Sequence, residues 1–362
     1  MLYQEWKNQI GLEKKVRNYQ HIDGRLDLNN ELNFLRVVDV LKNIKGHQFL
    51  PFIKKDKTEI RFRRSKNNPK GRAQRTKKVR PIMYVSHIDA HIYSYYNFAL
   101  MDRYEQYLNE IGLSENVIAY RKIEIAGTQK GKSNINFAGE VFDYIKTKDE
   151  CVVITHDIEH FFDEINHKLL KDNICKIQGI EKLDESFYKV FRSLTAYKYI
   201  THEDFLNKKI KRKLSHGKYA IYQTLKGIVE ENRTNMGIPQ GSPISGLLAN
   251  IYLVNFDSDI KKLFPDVFYR RYSDDLVFVC NKLQKDDLLK FVDKKIKESL
   301  LKINSKKSFV SYLKRGEKGM VCEKVTNGLG EKLGRDYVDY LGFEFSGNNI
   351  FLRKNTIQKL KH

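Results

Sequence analysis

Residues 267–280 read VFYRRYSDDLVFVC. Two apolar runs flank a short polar turn, which is the pattern of a β-hairpin. The turn carries two adjacent acids, Asp274 and Asp275. Neighbouring carboxylates repel each other and call for a counter-charge, although an Asp-Asp turn is most often only a solvated hairpin tip. Toward the N-terminus, CVVITHDI (151–158) is a β-branched run that reads as a buried strand ending in Asp157. A carboxylate there is costly unless compensated, and its bland reading is a cap for the helix that follows. Magnesium is the hard, oxygen-loving cation that suits such acids. Two such ions about 4 Å apart are a standard means of displacing pyrophosphate from a nucleotide.

The surrounding segments alternate in period. EHFFDEINHKLLKDNI (159–174) is helical, and GIPQGSP (237–243) is a turn opening the helix ISGLLANIYLVNFDSDIKKLF (244–264). DDLLKFVDKKIKESLLKI (286–303) is an amphipathic helix, and DYLGFEFS (339–346) with NIFLRK (349–354) suggests a strand pair. Residues 1–50 read as helical and mixed, with Phe34, Val37, Val38 and Leu41 at helical spacing; 81–145 and 175–235 read mainly as helices. Intermixed strands and helices make the class α+β.

The chain has 362 residues, with 66 Lys+Arg against 45 Asp+Glu, a formal charge of +21. That excess favours a polyanionic partner, nucleic acid or an acidic membrane surface. About half of it lies in residues 54–80, where 13 basic residues meet only Asp56 and Glu59. Interrupting apolar residues make this stretch a basic β-ribbon or loop with a phosphate-contacting surface. A second basic cluster falls at Lys208, Lys209, Lys211, Arg212 and Lys213. No run of about 18 apolar residues exists to span a bilayer, and the start lacks the apolar stretch of a secretion signal. Four scattered cysteines form neither a CxxC pair nor a disulfide framework, which fits a reducing, cytoplasmic setting.

Four blocks in one order now carry a resemblance. HDIEHFFDEINHKLL (156–170), MGIPQGSPISGLLANIYL (236–253), YSDDLVFV (272–279) and YLGFEFS (340–346) resemble motifs A, B, C and E of bacterial reverse transcriptases. This group holds the group II intron, retron and abortive-infection enzymes, and the likeness runs from about Lys70 to Arg353. The resemblance implies that Asp157 and Asp274 bind the catalytic metals, with Asp275 supporting and the Ile158 carbonyl completing the shell. Phe162, five residues after Asp157, matches the steric gate that refuses a ribose 2′-hydroxyl, so DNA rather than RNA synthesis is expected. One of Phe161 and Phe162 is expected in the core, since successive helical residues point different ways. Asp163 invites comparison with RNA replicases, but Asn166 and His167 continue the reverse-transcriptase pattern.

By the same resemblance, Gln240 and Gly241 line the nascent base pair. KKVRPIMYVSHIDAHIYSYY (77–96) resembles the fingers motif that grips the triphosphate, with Arg80 foremost and Lys78 second. VIAYRK (117–122) matches motif 2; Arg121 contacts template or triphosphate, or else makes a structural ion pair. KINSKKS (302–308) resembles motif D and selects Lys307, next to Lys306, as the acid that protonates pyrophosphate. Tyr340, Leu341 and Gly342 match the primer grip. The histidines around Asp157 and the pair His87 and His91 lack the further ligands of a zinc site.

What the resemblance implies overall is a right-hand polymerase with an antiparallel palm sheet, helical fingers and a short or truncated thumb. Its segments are an N-terminal extension (1–50), fingers (51–148), palm with motif A (149–175), a fingers insertion (176–235), palm with motifs B to E (236–350) and the start of a thumb (351–362). The expected reaction is RNA-directed DNA synthesis by transfer of dNTPs to a 3′-hydroxyl, using two Mg²⁺ ions with Mn²⁺ as a substitute. Group II GFRP and retron NAxxH and VTG elements are not evident, so the chain looks most like the defence-associated branch. Its partners would be a non-coding RNA or RNA template, the DNA product and dNTPs, with no membrane; a homo-oligomer is compatible. Two rival readings stand beside it: a template-independent or protein-primed polymerase, with 21 tyrosines as candidate primers, and a catalytically idle RNA-binding scaffold.

Overall fold

In a computed structural model, residues 2–13, 19–63, 74–207, 223–317, 319–323 and 336–353 are described. The basic cluster at 208–213, the tip of the 54–80 ribbon and residues 354–362 lie outside them. The chain divides into two compact units, Met1–Asp102 with Gly179–Ser245 and Arg103–Gln178 with Gly246–His362.

The first unit is built on the predicted basic ribbon. β1 (Phe52–Arg63) and β2 (Gln74–Tyr84) pair antiparallel from Ile53 opposite Tyr84 to Arg63 opposite Gln74. β1 also pairs in parallel with β4 (Lys198–Thr201), which pairs with β5 (Glu230–Glu231). β2 is an edge strand, the place in a sheet where a proline such as Pro81 is tolerated. The helix Glu31–Lys42 is capped by the Asn30 side chain and buries Phe34, Val37, Val38 and Leu41, the spacing read from the sequence.

The second unit holds an antiparallel sheet ordered β6-β7-β3-β8-β9. Its strands are β3 (Glu150–Asp157), β6 (Phe268–Tyr272), β7 (Asp275–Cys280), β8 (Phe309–Gly316) and β9 (Gly319–Cys322). β10 (Val338–Tyr340), β11 (Phe343–Phe345) and β12 (Ile350–Leu352) form a separate three-stranded sheet. β3 lies at the centre and is buried on both faces. On one face, Cys151 and Val153 pack with Val277, Val279 and the helix Asn134–Lys146 through Val141, Phe142 and Ile145. On the other, Phe278 stacks on Tyr269, which meets Phe256 edge-on. Two covered faces explain apolar runs without alternation.

The α+β class and the closing strand pair are as expected; three helices are shorter. The 159–174 segment is Phe161–Glu164 followed by His167–Gln178, because Asn166 turns its side-chain oxygen onto Lys168 N and Leu169 N and starts a new helix. The 244–264 segment breaks at Leu253, and the 286–303 helix ends at Glu298. Residues 81–84 belong to β2, and 198–201 and 230–231 are strands rather than helix.

Candidate active site

In the second unit, the strand ends bring the three acids together. Asp157 closes β3 directly opposite Asp275, the first residue of β7. Ser273 and Asp274 form the two-residue turn between β6 and β7, with Ser273 in the left-handed region at φ 59°. Ile158 N donates to the Asp274 carbonyl at 3.0 Å, tying the end of β3 to that turn. Burial and then the Asp157 charge push Asp274 above the usual carboxylate range. Burial, then Asp274 and Asp157, push Asp275 up to about 7. The three charges therefore act on one another in a buried setting, which is the condition that asks for a cation.

Motif D supplies part of the compensation. Glu159 N donates to Lys302 O at 2.9 Å and Asn304 N to Asp157 O at 2.8 Å, so the 302–304 backbone lies along the end of β3. Asn304 Nδ2 donates to Asp157 Oδ1 at 3.2 Å, and Lys307 Nζ pairs with Asp157 Oδ2. The Asn304 amide thus fixes the orientation of the carboxylate. His156, buried behind Asp157, is pushed down to about 4 by desolvation and stays neutral.

Among the described residues, no group of three or more His, Cys, Asp or Glu side chains is arranged to hold a metal ion by itself. Magnesium does not need one. It is commonly held by one or two carboxylates and completes its shell with water and substrate phosphate. Crowded carboxylates with raised proton affinity, beside the backbone at Ile158, fit that mode of binding.

The two motif A phenylalanines separate. Phe161 is buried against Tyr252, and Phe162 is half-buried and meets the Tyr120 ring. The Arg121 side chain is 4% exposed; it pairs with Glu105 and donates to the carbonyls of Ser114 and Val117. The pair with Glu105 is the contact that one of its two sequence readings expects. Tyr340 is buried in the sheet core, and Leu341 (φ 47°) and Gly342 (φ 96°) make the tight turn into β11.

A buried network, unread in the sequence, braces the acidic turn. Arg271 pairs with Asp257 at 2.5 Å with both side chains fully buried, and Tyr269 Oη donates to Asp257 at 2.6 Å. Arg271 also donates to Asn250 and to the carbonyl of Ser273, immediately before Asp274.

In the first unit, Arg80 Nη1 donates to Glu59 Oε2 at 2.8 Å, and Lys78 stands opposite Glu59 across the ribbon. Met83 N donates to Gln240 O at 2.8 Å. Gly241 has φ 113°, and a Cβ there would sit 2.8 Å from Met83 O, so only glycine lets the turn close on β2.

A family model described as reverse transcriptase (RNA-dependent DNA polymerase) matches residues 66–345. None of the curated proteins matches in sequence. Among solved structures, apo telomerase from Candida tropicalis truncated from its C-terminal domain is similar at TM-score 0.42 and 13% identity, covering 89% of this chain and 60% of that one. Telomerase from Candida albicans in complex with the TWJ fragment of telomeric RNA is similar at TM-score 0.40 and 13% identity, covering 90% and 51%. The chain thus spans between half and three fifths of these telomerase chains. With the family model covering most of its length, the chain belongs to the reverse transcriptase family.

Proposed function

We propose that the protein is an RNA-directed DNA polymerase that joins dNTPs to a primer 3′-hydroxyl opposite an RNA template. The observation that carries this is the mutual crowding of Asp157, Asp274 and Asp275 at the strand ends. These acids and the Ile158 carbonyl would hold two Mg²⁺ ions, for which Mn²⁺ would substitute. Bound there, the ions would make the 3′-hydroxyl a better nucleophile and neutralise charge on the phosphates.

The chain's own groups take the remaining tasks. Phe162 stands where a 2′-hydroxyl would be refused. Lys307, already on Asp157, is the proton source for departing pyrophosphate. Arg80 and Lys78 bind triphosphate, Gln240 and Gly241 the nascent pair, and the turn Tyr340–Leu341–Gly342 the primer end. Arg121 serves by holding its own loop. The segments keep the roles implied by the resemblance, from N-terminal extension through fingers and palm to thumb. The setting is cytoplasmic anti-phage defence with an associated non-coding RNA, a reading supported by likeness to the abortive-infection branch.

The test is primer extension on an RNA template with dNTPs and Mg²⁺ or Mn²⁺. Wild-type protein is expected to extend the primer, and Asp274→Asn to lose at least a thousandfold of that rate. Extension undiminished in Asp274→Asn would overturn the assignment. Product made without any template would move it to the template-independent rival.

A further inference from the structure

The backbone around Tyr120 is held tightly. Ile118 N donates to Arg271 O at 3.0 Å, and Asn250 Nδ2 donates to Ala119 O at 2.7 Å. The next residue, Tyr120, adopts φ 57°, a left-handed conformation unfavourable for a bulky side chain. Such strain persists only where the surroundings impose it, and it concentrates at functional sites. Its consequence is to turn the Tyr120 side chain outward, 49% exposed, instead of into the core.

The ring nevertheless has three fixed neighbours in the second unit. One is Gly246, in the first turn of the helix Ser245–Tyr252. A Cβ there would lie 2.5 Å from Tyr120 Cγ, so the missing side chain is what admits the ring. Another is Phe162, met edge-to-face with ring centroids 6.4 Å apart. The last is Ser273, whose Oγ lies 3.4 Å from the Tyr120 hydroxyl, one residue before Asp274. Tyr120 therefore spans from the gate ring to the acidic turn. Phe162 is half-buried in a helix of only four residues, where its other ring neighbour is the adjacent Phe161 at 5.8 Å between centroids, so Tyr120 is the ring that reaches it from another element.

We propose that Tyr120 is a positioning residue for sugar selection: its ring backs Phe162 and thereby sets how strictly a ribose 2′-hydroxyl is refused. The inference rests on Phe162 being the gate. An edge-to-face pair is worth a modest amount beyond its buried area, so removing one ring loosens the other without unfolding the sheet beneath.

The readout is the ratio of kcat/KM for dTTP to that for UTP, in primer extension on a poly(rA) template with an oligo(dT) primer. A merely destabilised enzyme lowers both terms and leaves the ratio unchanged. Tyr120→Ala is expected to lower the ratio roughly threefold to tenfold, and Phe162→Ala to lower it further. Tyr120→Phe keeps the ring and is expected to keep the ratio. Gly246→Ala, which displaces the ring, is expected to follow Tyr120→Ala. If circular dichroism shows Tyr120→Ala unfolded, Tyr120→Leu replaces it with the same expectation. A wild-type ratio in the ring-deleted variant, with Phe162→Ala relaxed, overturns the inference and leaves the gate standing. Should Phe162→Ala also keep the wild-type ratio, the gate reading falls and takes this inference with it.

Discussion

Asp275, which we propose supports the metals, opposes the stability of its own fold. Its carboxyl is pushed from 3.8 up to about 7 by burial and by Asp274 and Asp157. A raised carboxyl binds protons more tightly in the folded chain than in the unfolded one. Its ionisation therefore leaves the metal-free fold intact below about pH 4 and weakens it progressively up to about pH 7. Three pH units correspond to at most about 4 kcal/mol, and relaxation reduces that to roughly 2–4 kcal/mol. Asp275→Asn, neutral at every pH, should be more stable than wild type by that amount in EDTA at pH 8, and equal to it near pH 4. Urea unfolding at both pH values measures it. Equal stabilities at pH 8 would mean that the three charges are not in conflict. Added Mg²⁺ should narrow the gap, because only the wild type sets the Asp275 charge beside those of Asp157 and Asp274 for the cation to relieve.

At the scale of elements, the strand at 151–158 and the second arm of the hairpin, 275–280, were readable because burial on both faces writes a continuous apolar run. The turn between β6 and β7 was readable because Ser273 and Asp274 cannot continue such a run. Helix breaks were not: Leu253 is apolar like its neighbours, and the restart at Asn166 depends on one side-chain oxygen finding two backbone N–H groups. The brace behind the turn was equally hidden. Arg271 and Asp257 stand 14 residues apart on different elements, so no local pattern joins them, and each looks like an ordinary surface charge. Within the site, the carboxylates and Lys307 carried motif spacing, but Tyr120 carried none, since its position follows from a backbone angle and a distant glycine. The brace gives a prediction of its own. Asp257→Asn leaves a buried guanidinium without its counter-charge and should cost about 3–5 kcal/mol. Asp259→Asn, two residues on, removes only a partly exposed pair with Lys295 and should cost under about 1 kcal/mol. Chemical denaturation of the two variants side by side separates them; equal midpoints would show that the Arg271 pair braces nothing.

For the whole molecule, a charge of +21 is a statement about partners rather than about folding. The ribbon of the first unit resolves part of it into a surface. Strand alternation puts Lys55, Lys57 and Glu59 on one face of β1, and the register places Arg80 opposite Lys57 and Lys78 opposite Glu59 on that same face. Lys54, on the other face, lies over the Tyr199 ring. Lys55, Lys57, Lys78 and Arg80 thus share one face of the ribbon with a single acid, Glu59, which pairs with Arg80. If that face neutralises nucleic-acid phosphates, removing one such cation should flatten the plot of log binding constant against log salt by about 0.7 for single-stranded RNA. Lys55→Gln with Lys57→Gln should therefore reduce the slope by about 1.4, and Lys54→Gln should leave it unchanged. Glu59→Gln should strengthen binding, since it removes a competitor for Arg80. Fluorescence anisotropy with a labelled single-stranded RNA across a salt series measures all of these slopes. An unchanged slope in the double variant would locate the phosphate-binding cations elsewhere and reduce the ribbon to a solvated, charged hairpin.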